Sequence, residues 1–161
     1  IELIDHLERL DATHLGVVLK IETRAGFENL PKMLLAGMRL PRFGVMIARG
    51  DLAVETGFER LAEIQEEMLC LCEAAHVPVI WATQVLESLA KKGAPARSEI
   101  TDAAMSVRAE CVMLNKGPYI LKAVTTLNDV LRRMREHRAK KRDLLRSLQV
   151  AGRQDATGAL S

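Results

Sequence analysis

Short apolar runs alternate with longer amphipathic stretches along the chain. The apolar runs are Leu15–Ile21 (LGVVLKI), Phe43–Ala48 (FGVMIA), Val77–Ala82 (VPVIWA) and Glu110–Leu114 (ECVML). Val, Ile, Leu and Met dominate them, which predicts strands buried on both faces. Their starts lie about 28 to 34 residues apart, the length of one strand-plus-helix unit.

The stretches between them read as helices. Leu61, Ile64, Met68 and Leu71 recur at helical spacing. Ahead of them, Thr56-Gly57-Phe58-Glu59 has the form of a capping box opening a helix to about Ala75. A second helix follows Asn29 and Pro31, where proline is tolerated in the first turn. Ser98 or Thr101 is expected to cap another that runs to Arg108. The last long helix spans roughly Tyr119 to His137, and Ile1 to Leu10 forms one more.

A helix followed by four strand–helix units predicts an α/β fold with parallel strands and right-handed crossovers. Pattern alone leaves two architectures, an open doubly wound sheet or part of a (β/α)8 barrel. A complete barrel takes about 250 residues, and the chain has 161. Four units are half of one.

Composition narrows the class. With 48% hydrophobic residues, 27% charged and a net charge of +2, the chain suits one domain with a real core. Such a balance implies no strong nucleic-acid bias by itself, and no nucleic-acid partner is expected. No apolar run approaches the roughly 20 residues that span a membrane, so no membrane partner is expected. The first residue is Ile1 rather than Met and no signal-peptide pattern precedes the first amphipathic segment, so the start reads as a cut in a longer chain. Cys70, Cys72 and Cys111 lack metal-ligand spacing. An odd count of this kind fits a reduced, cytoplasmic protein with its thiols as small buried hydrophobes. The methionines fall in apolar patterns and read as core; the histidines show no ligand spacing and read as surface or packing residues, with His76 in a turn.

Three consecutive strands end in polar groups. Lys20-Ile21-Glu22 places a lysine and a carboxylate on one face of the first strand, at the carboxyl end where α/β active sites lie. The plain alternative is a strand-end salt bridge. Arg49-Gly50-Asp51 ends the second strand and suggests a tight turn with exposed backbone amides and a carboxylate at the rim. An ordinary βα turn favours the same residues. Trp81-Ala82-Thr83-Gln84 brings more polar side chains to that rim. Glu22 and Asp51 are hard oxygen donors suited to Mg²⁺ or Mn²⁺. A divalent ion beside a lysine and backbone amides suits a phosphorylated carboxylate substrate.

Taken together these segments resemble the pyruvate kinase family. Lys20-Ile21-Glu22, with Gly26 and Asn29 behind it, is similar to the family's KIEN-x-x-G-x-x-N. Val45 to Glu55 (VMIARGDLAVE) resembles MVARGDLGVE, and Pro78 to Ser88 (PVIWATQVLES) resembles PVI-x-ATQMLES. Pro95-Ala96-Arg97-Ser98-Glu99 and Asp102 resemble PTRAE-x-SD. The likeness runs from about residue 15 to 130 in the family's order. It implies half of a TIM (β/α)8 barrel, with the four parallel strands as barrel strands five to eight.

The resemblance also implies roles. Lys20 stabilises charge on the phosphoryl group in flight. Glu22 and Asp51 hold Mg²⁺ or Mn²⁺. Amides around Arg49, Gly50 and Asp51 bind the substrate carboxylate, with Thr83 beside it near the site of enolate protonation. A threonine hydroxyl is too weak an acid to act there without a water relay. The implied reaction is phosphoenolpyruvate plus ADP to pyruvate plus ATP, in glycolysis. The K⁺ and ADP/ATP sites and the lid belong to the missing first half, so the fragment alone is expected to be inactive.

Two departures from the family pattern stand out. Thr23 occupies the last asparagine position of KIEN, and Leu114-Asn115-Lys116-Gly117-Pro118-Tyr119 replaces a serine-glycine-glutamate-threonine loop. Two other functions stay open beside the kinase. One is a metal-dependent pyruvate or phosphoenolpyruvate lyase or aldolase of the same barrel group, and the other a non-catalytic remnant acting by association. Half a barrel would also leave free strand edges, so the chain is expected to form a homo-oligomer or to be poorly stable alone.

The barrel half is assigned to residues 1–137. A basic helical extension and a disordered tail are assigned to 138–161, the tail from Ala151. Arg132 to Arg146 holds eight basic residues. It reads as a solvated helix face, with Leu144, Leu145 and Leu148 packing inward.

Overall fold

The structure, a computed structural model, describes residues 2–142 and the side chains of residues 2–135. The extension beyond 142, with its leucines and the tail, lies outside the described residues. In chain order the elements are α1 (Glu2–Arg9), β1 (Val17–Ile21), α2 (Arg24–Glu28), α3 (Leu30–Gly37), β2 (Phe43–Ala48), α4 (Arg49–Thr56), a 3-10 turn (Phe58–Arg60), α5 (Leu61–Ala74), β3 (Val79–Val85), α6 (Glu87–Lys92), α7 (Arg97–Met105), a second 3-10 turn (Ser106–Arg108), β4 (Cys111–Leu114) and α8 (Ile120–Arg142).

All three strand pairings are parallel, and the order is β1-β2-β3-β4. A doubly wound sheet reverses its strand order at a switch point; here each new strand is added on the same side. The fold is therefore α/β with four parallel strands and flanking helices, as part of a (β/α)8 barrel requires.

Strand alternation explains where the core sits. Ile21, Val45, Ile47, Val79 and Trp81 point to one face and are buried. They meet Leu30, Leu34, Ile64, Met68 and Leu69 from the helices. Burying each large aliphatic side chain contributes about 1.5–3 kcal/mol. The opposite face is different. Val18, Lys20, Cys111 and Met113 are exposed there, and Met46 and Ile80 are half-buried. The expectation of strands buried on both faces thus fails for β1 and β4, because helices cover only one side of the described sheet. The same geometry corrects the thiol reading: Cys72 is buried, and Cys70 and Cys111 are exposed. Burial raises the Cys72 thiol to about 11. Met68 is buried as expected, but Met38 and Met105 are exposed.

Helix boundaries depart from the sequence reading in three places. Thr56 closes α4 rather than opening α5, and its hydroxyl donates back to the Leu52 carbonyl at 2.7 Å. Gly57 follows at φ 96°, a left-handed value that glycine adopts without a Cβ penalty. Neither Ser98 nor Thr101 caps α7; the N-cap is Ala96, whose amide donates to Glu99 Oε2 at 3.0 Å. Arg49-Gly50-Asp51 is the first turn of α4, not a tight βα turn.

Candidate functional site

The carboxyl ends of β1, β2 and β3 carry the site. Lys20 lies on the uncovered face of β1, and Glu22 follows one residue past the strand. Strand period two brings both to the same side, and the Lys20 ammonium forms an ion pair with Glu22 Oε2. That hydrogen bond to Glu22 raises the lysine above its usual range, against a smaller desolvation effect, and the Asp51 charge adds to it. Lys20, Glu22 and Asp51 therefore form one electrostatic cluster.

Asp51 enters from β2 through α4. Its position in the first turn of α4 sets the carboxylate beside the helix's unpaired amides. The end of β1 is tied to α4 from the other side, where the Arg24 amide approaches Glu55 Oε2 at 3.5 Å. Thr23, a departure from the family pattern, has a local reason: it is the N-cap of α2, accepting from the Gly26 amide at 3.0 Å.

β3 supplies the most unusual backbone. Its pairing with β4 moves from Trp81↔Val112 to Val85↔Leu114, so β3 bulges between them. Thr83 stands at φ 66°, Gln84 at 57° and Leu86 at 49°. A β-branched residue in left-handed backbone is an outlier that persists only where surroundings enforce it. The Thr83 hydroxyl accepts from the Gly50 amide at 3.0 Å and donates to the Ala82 carbonyl at 2.7 Å. Thr83 and the first turn of α4 are thus joined directly.

Arg49 behaves differently from its neighbours. It is 7% exposed, and its guanidinium turns toward β3 and α7. Nε donates to the Ala82 carbonyl at 2.8 Å and Nη2 to the Thr83 carbonyl at 2.6 Å. Nη1 pairs with Asp102 Oδ1, and the guanidinium carbon lies 4.6 Å from the Trp81 ring centroid. Asp102 and Trp81 were not singled out as site residues by the sequence reading. A charged residue directly after a buried strand was the available signal, since a buried guanidinium needs a carboxylate.

A cavity of about 710 Å³ opens beside this arrangement, lined by Gly50, Asp51, Thr83, Gln84, Glu99 and Asp102 among others. Glu99 fixes its far wall. Desolvation pushes its carboxyl up, but the amides of Ser88 and Ala96 outweigh that and hold it below the usual carboxylate range. Ser88 N–H donates to Glu99 Oε1 at 2.6 Å. The LNKGPY segment lies against α6: the Tyr119 amide donates to the Ala90 carbonyl at 3.0 Å, and Asn115 Nδ2 donates to Glu87 Oε1 at 3.3 Å.

Lys20 pairs with Glu22 within reach of the Asp51 charge, and Gly50 meets Thr83; the Arg49 side chain turns instead into β3 and α7. Two carboxylates with nothing softer beside them suit a hard divalent cation that keeps water or substrate oxygens as its other ligands. Among the described residues no group of three or more His, Cys, Asp or Glu could form an all-protein cage, and Mg²⁺ does not require one. No described helix is long and apolar enough to cross a membrane.

Comparison with known proteins agrees with the fold. Residues 2–124 match the family described as "Pyruvate kinase, barrel domain". A pyruvate kinase of Geobacillus stearothermophilus is 34% identical over 151 residues, covering 90% of this chain and 25% of that protein. One from Bacillus licheniformis is 33% identical over 158 residues, covering 94% of this chain and 26% of its own length. Plastidial pyruvate kinase 3, chloroplastic, of Arabidopsis thaliana is 37% identical over 135 residues, covering 80% of this chain and 23% of that protein. The chain spans about a quarter of the length of these relatives.

Proposed function

The chain belongs to the pyruvate kinase family, and we propose that it supplies the metal and phosphoenolpyruvate side of a phosphotransferase site making pyruvate and ATP from phosphoenolpyruvate and ADP. One observation carries this reading. Lys20, Glu22 and Asp51 cluster at the carboxyl ends of consecutive parallel strands, beside a Thr83 held in left-handed backbone on the Gly50 amide.

Each residue then has a task. Glu22 and Asp51 hold Mg²⁺ or Mn²⁺. When bound, that ion neutralises charge on substrate and phosphoryl oxygens. Lys20, a cation at neutral pH, places a positive charge where the phosphoryl group carries negative charge in flight. The amides of Arg49, Gly50 and Asp51, at the positive end of α4, attract the substrate carboxylate. Thr83 sits beside that carboxylate. Its hydroxyl relays a proton to the enolate carbon through water, because its own acidity is too low.

The K⁺ and nucleotide sites belong to the part of the relatives that this chain does not match. The 161 residues alone therefore transfer no phosphate in this reading. The barrel half over residues 1–137, the basic extension over 138–161, a glycolytic role and cytoplasmic placement belong to the same proposal; the Arabidopsis relative is plastidial, so other compartments are open to the family. The free edges of β1 and β4 among the described residues support association of the chain into a homo-oligomer.

The test is phosphoenolpyruvate-dependent ATP formation by the intact parent protein with Mg²⁺ and K⁺, beside its Lys20→Met variant. Activity lost in the variant supports the reading. A folded, Mn²⁺-binding parent without activity overturns it in favour of a metal-dependent lyase of pyruvate-type substrates. A parent that binds neither Mn²⁺ nor oxalate points instead to a non-catalytic module.

A further inference from the structure

Arg49 is buried, yet its three guanidinium nitrogens reach neither Glu22 nor Asp51. Two donate to the carbonyls of Ala82 and Thr83, at the point where β3 loses register with β4. The third pairs with Asp102 on α7, and the Trp81 ring lies beneath the guanidinium. The bulge contains Thr83 at φ 66° and Gln84 at φ 57°, conformations that relax unless something holds them. A planar fork of donors suits two adjacent carbonyls, and an ammonium cannot copy it. A buried guanidinium without a counterion would be costly. Asp102 supplies that counterion.

We infer that Asp102, acting through Arg49, is a positioning residue: the pair clamps the Ala82 and Thr83 carbonyls and thereby holds the Thr83 hydroxyl on the Gly50 amide. Asp102 itself lies on α7, outside the Lys20–Glu22–Asp51 cluster. Its contribution is geometric, fixing the backbone that carries Thr83. This deepens the phosphotransferase reading and rests on it for the activity readout. The clamp itself can be tested without turnover.

The experiment compares Asp102→Asn, Thr83→Ala, the double variant and Arg49→Lys in the intact parent. Asp102→Asn is expected to lower kcat by about tenfold or more, with Mn²⁺ affinity unchanged because Glu22 and Asp51 are untouched. Arg49→Lys behaves the same way. The double variant loses little more than Thr83→Ala alone, since both changes act on one group. Hydrogen exchange at the Gly50 amide accelerates in Asp102→Asn, and emission from Trp81, the only tryptophan of these 161 residues, changes as the guanidinium leaves its ring. Additive losses that follow melting temperature overturn the inference, as does unchanged Gly50 exchange in folded Asp102→Asn. If Asp102→Asn does not fold, Asp102→Glu replaces it: the longer side chain displaces Arg49, and unchanged exchange in that variant also overturns the clamp. A parent without turnover defeats the phosphotransferase reading, and Gly50 exchange with Trp81 emission then decides the clamp by themselves.

Discussion

The Gly50 amide donates to the Thr83 hydroxyl at 3.0 Å, joining the first turn of α4 to the bulged end of β3. An amide proposed to bind substrate and a side chain proposed to relay a proton thus share one hydrogen bond. Thr83 sits at φ 66°, so the contact is maintained against local preference. Thr83→Gly relieves the backbone and Thr83→Ala does not. Thr83→Gly is therefore expected to be more stable than Thr83→Ala by about 1 kcal/mol, with both losing about a hundredfold or more in kcat. Denaturant titration beside steady-state kinetics checks the pair.

Lys20→Met separates chemistry from stability. Lys20 is exposed and its ion pair with Glu22 faces solvent, so the melting temperature should barely move. Turnover should fall by about a hundredfold or more through loss of charge stabilisation. A large drop in melting temperature would assign Lys20 a structural role instead.

Glu22→Gln and Asp51→Asn each remove one hard oxygen donor. Mn²⁺ affinity, followed by proton relaxation, should fall by about tenfold or more in either variant, equivalent to about 1.4 kcal/mol. Equal binding in wild type and both variants would remove the metal assignment.

Glu99 makes stability depend on pH. Its carboxyl is held below the ordinary value of 4.5 in the folded chain, so the unfolded chain binds the proton more tightly. The Glu99 contribution is complete above that value and is lost as pH falls through the lower, folded one. Urea midpoints should decline on acidification below about pH 5, with a shallower decline in Glu99→Gln. Parallel profiles would show that Glu99 is not responsible.

Gly117 is fixed by close approach. A Cβ there would lie 2.2 Å from the Ala90 carbonyl oxygen, which is backbone and cannot swing aside. Gly117→Ala should cost about 1–3 kcal/mol and weaken the Tyr119–Ala90 hydrogen bond that ties the segment to α6. An unchanged denaturation midpoint would mean the segment moves freely.

Much of the fold was legible because strand and helix patterns are local. LGVVLKI and FGVMIA name β1 and β2 nearly to the residue, and the 28-to-34-residue spacing of the runs announces parallel crossovers. Helix starts were read less well. Thr56 and Glu59 had the spelling of a capping box, but Gly57 at φ 96° ended one helix before the next began. In the candidate site Lys20, Glu22 and Asp51 were legible as polar residues at strand ends. Arg49 was legible only as a name in the motif, since nothing local says where a guanidinium turns.

By itself the sequence determined a run of parallel strand–helix units with polar side chains at the strand ends. Apolar periodicity chooses helix or strand residue by residue, and polar groups cannot remain inside a buried strand. Tertiary structure alone decided three things. Among the described residues it left one face of β1 and β4 without helix cover, drove Thr83 into left-handed backbone, and turned Arg49 onto partners 33, 34 and 53 positions away. Those outcomes depend on which elements meet in space, because a bulge is held by donors from another strand's end and a buried cation by a carboxylate from another helix.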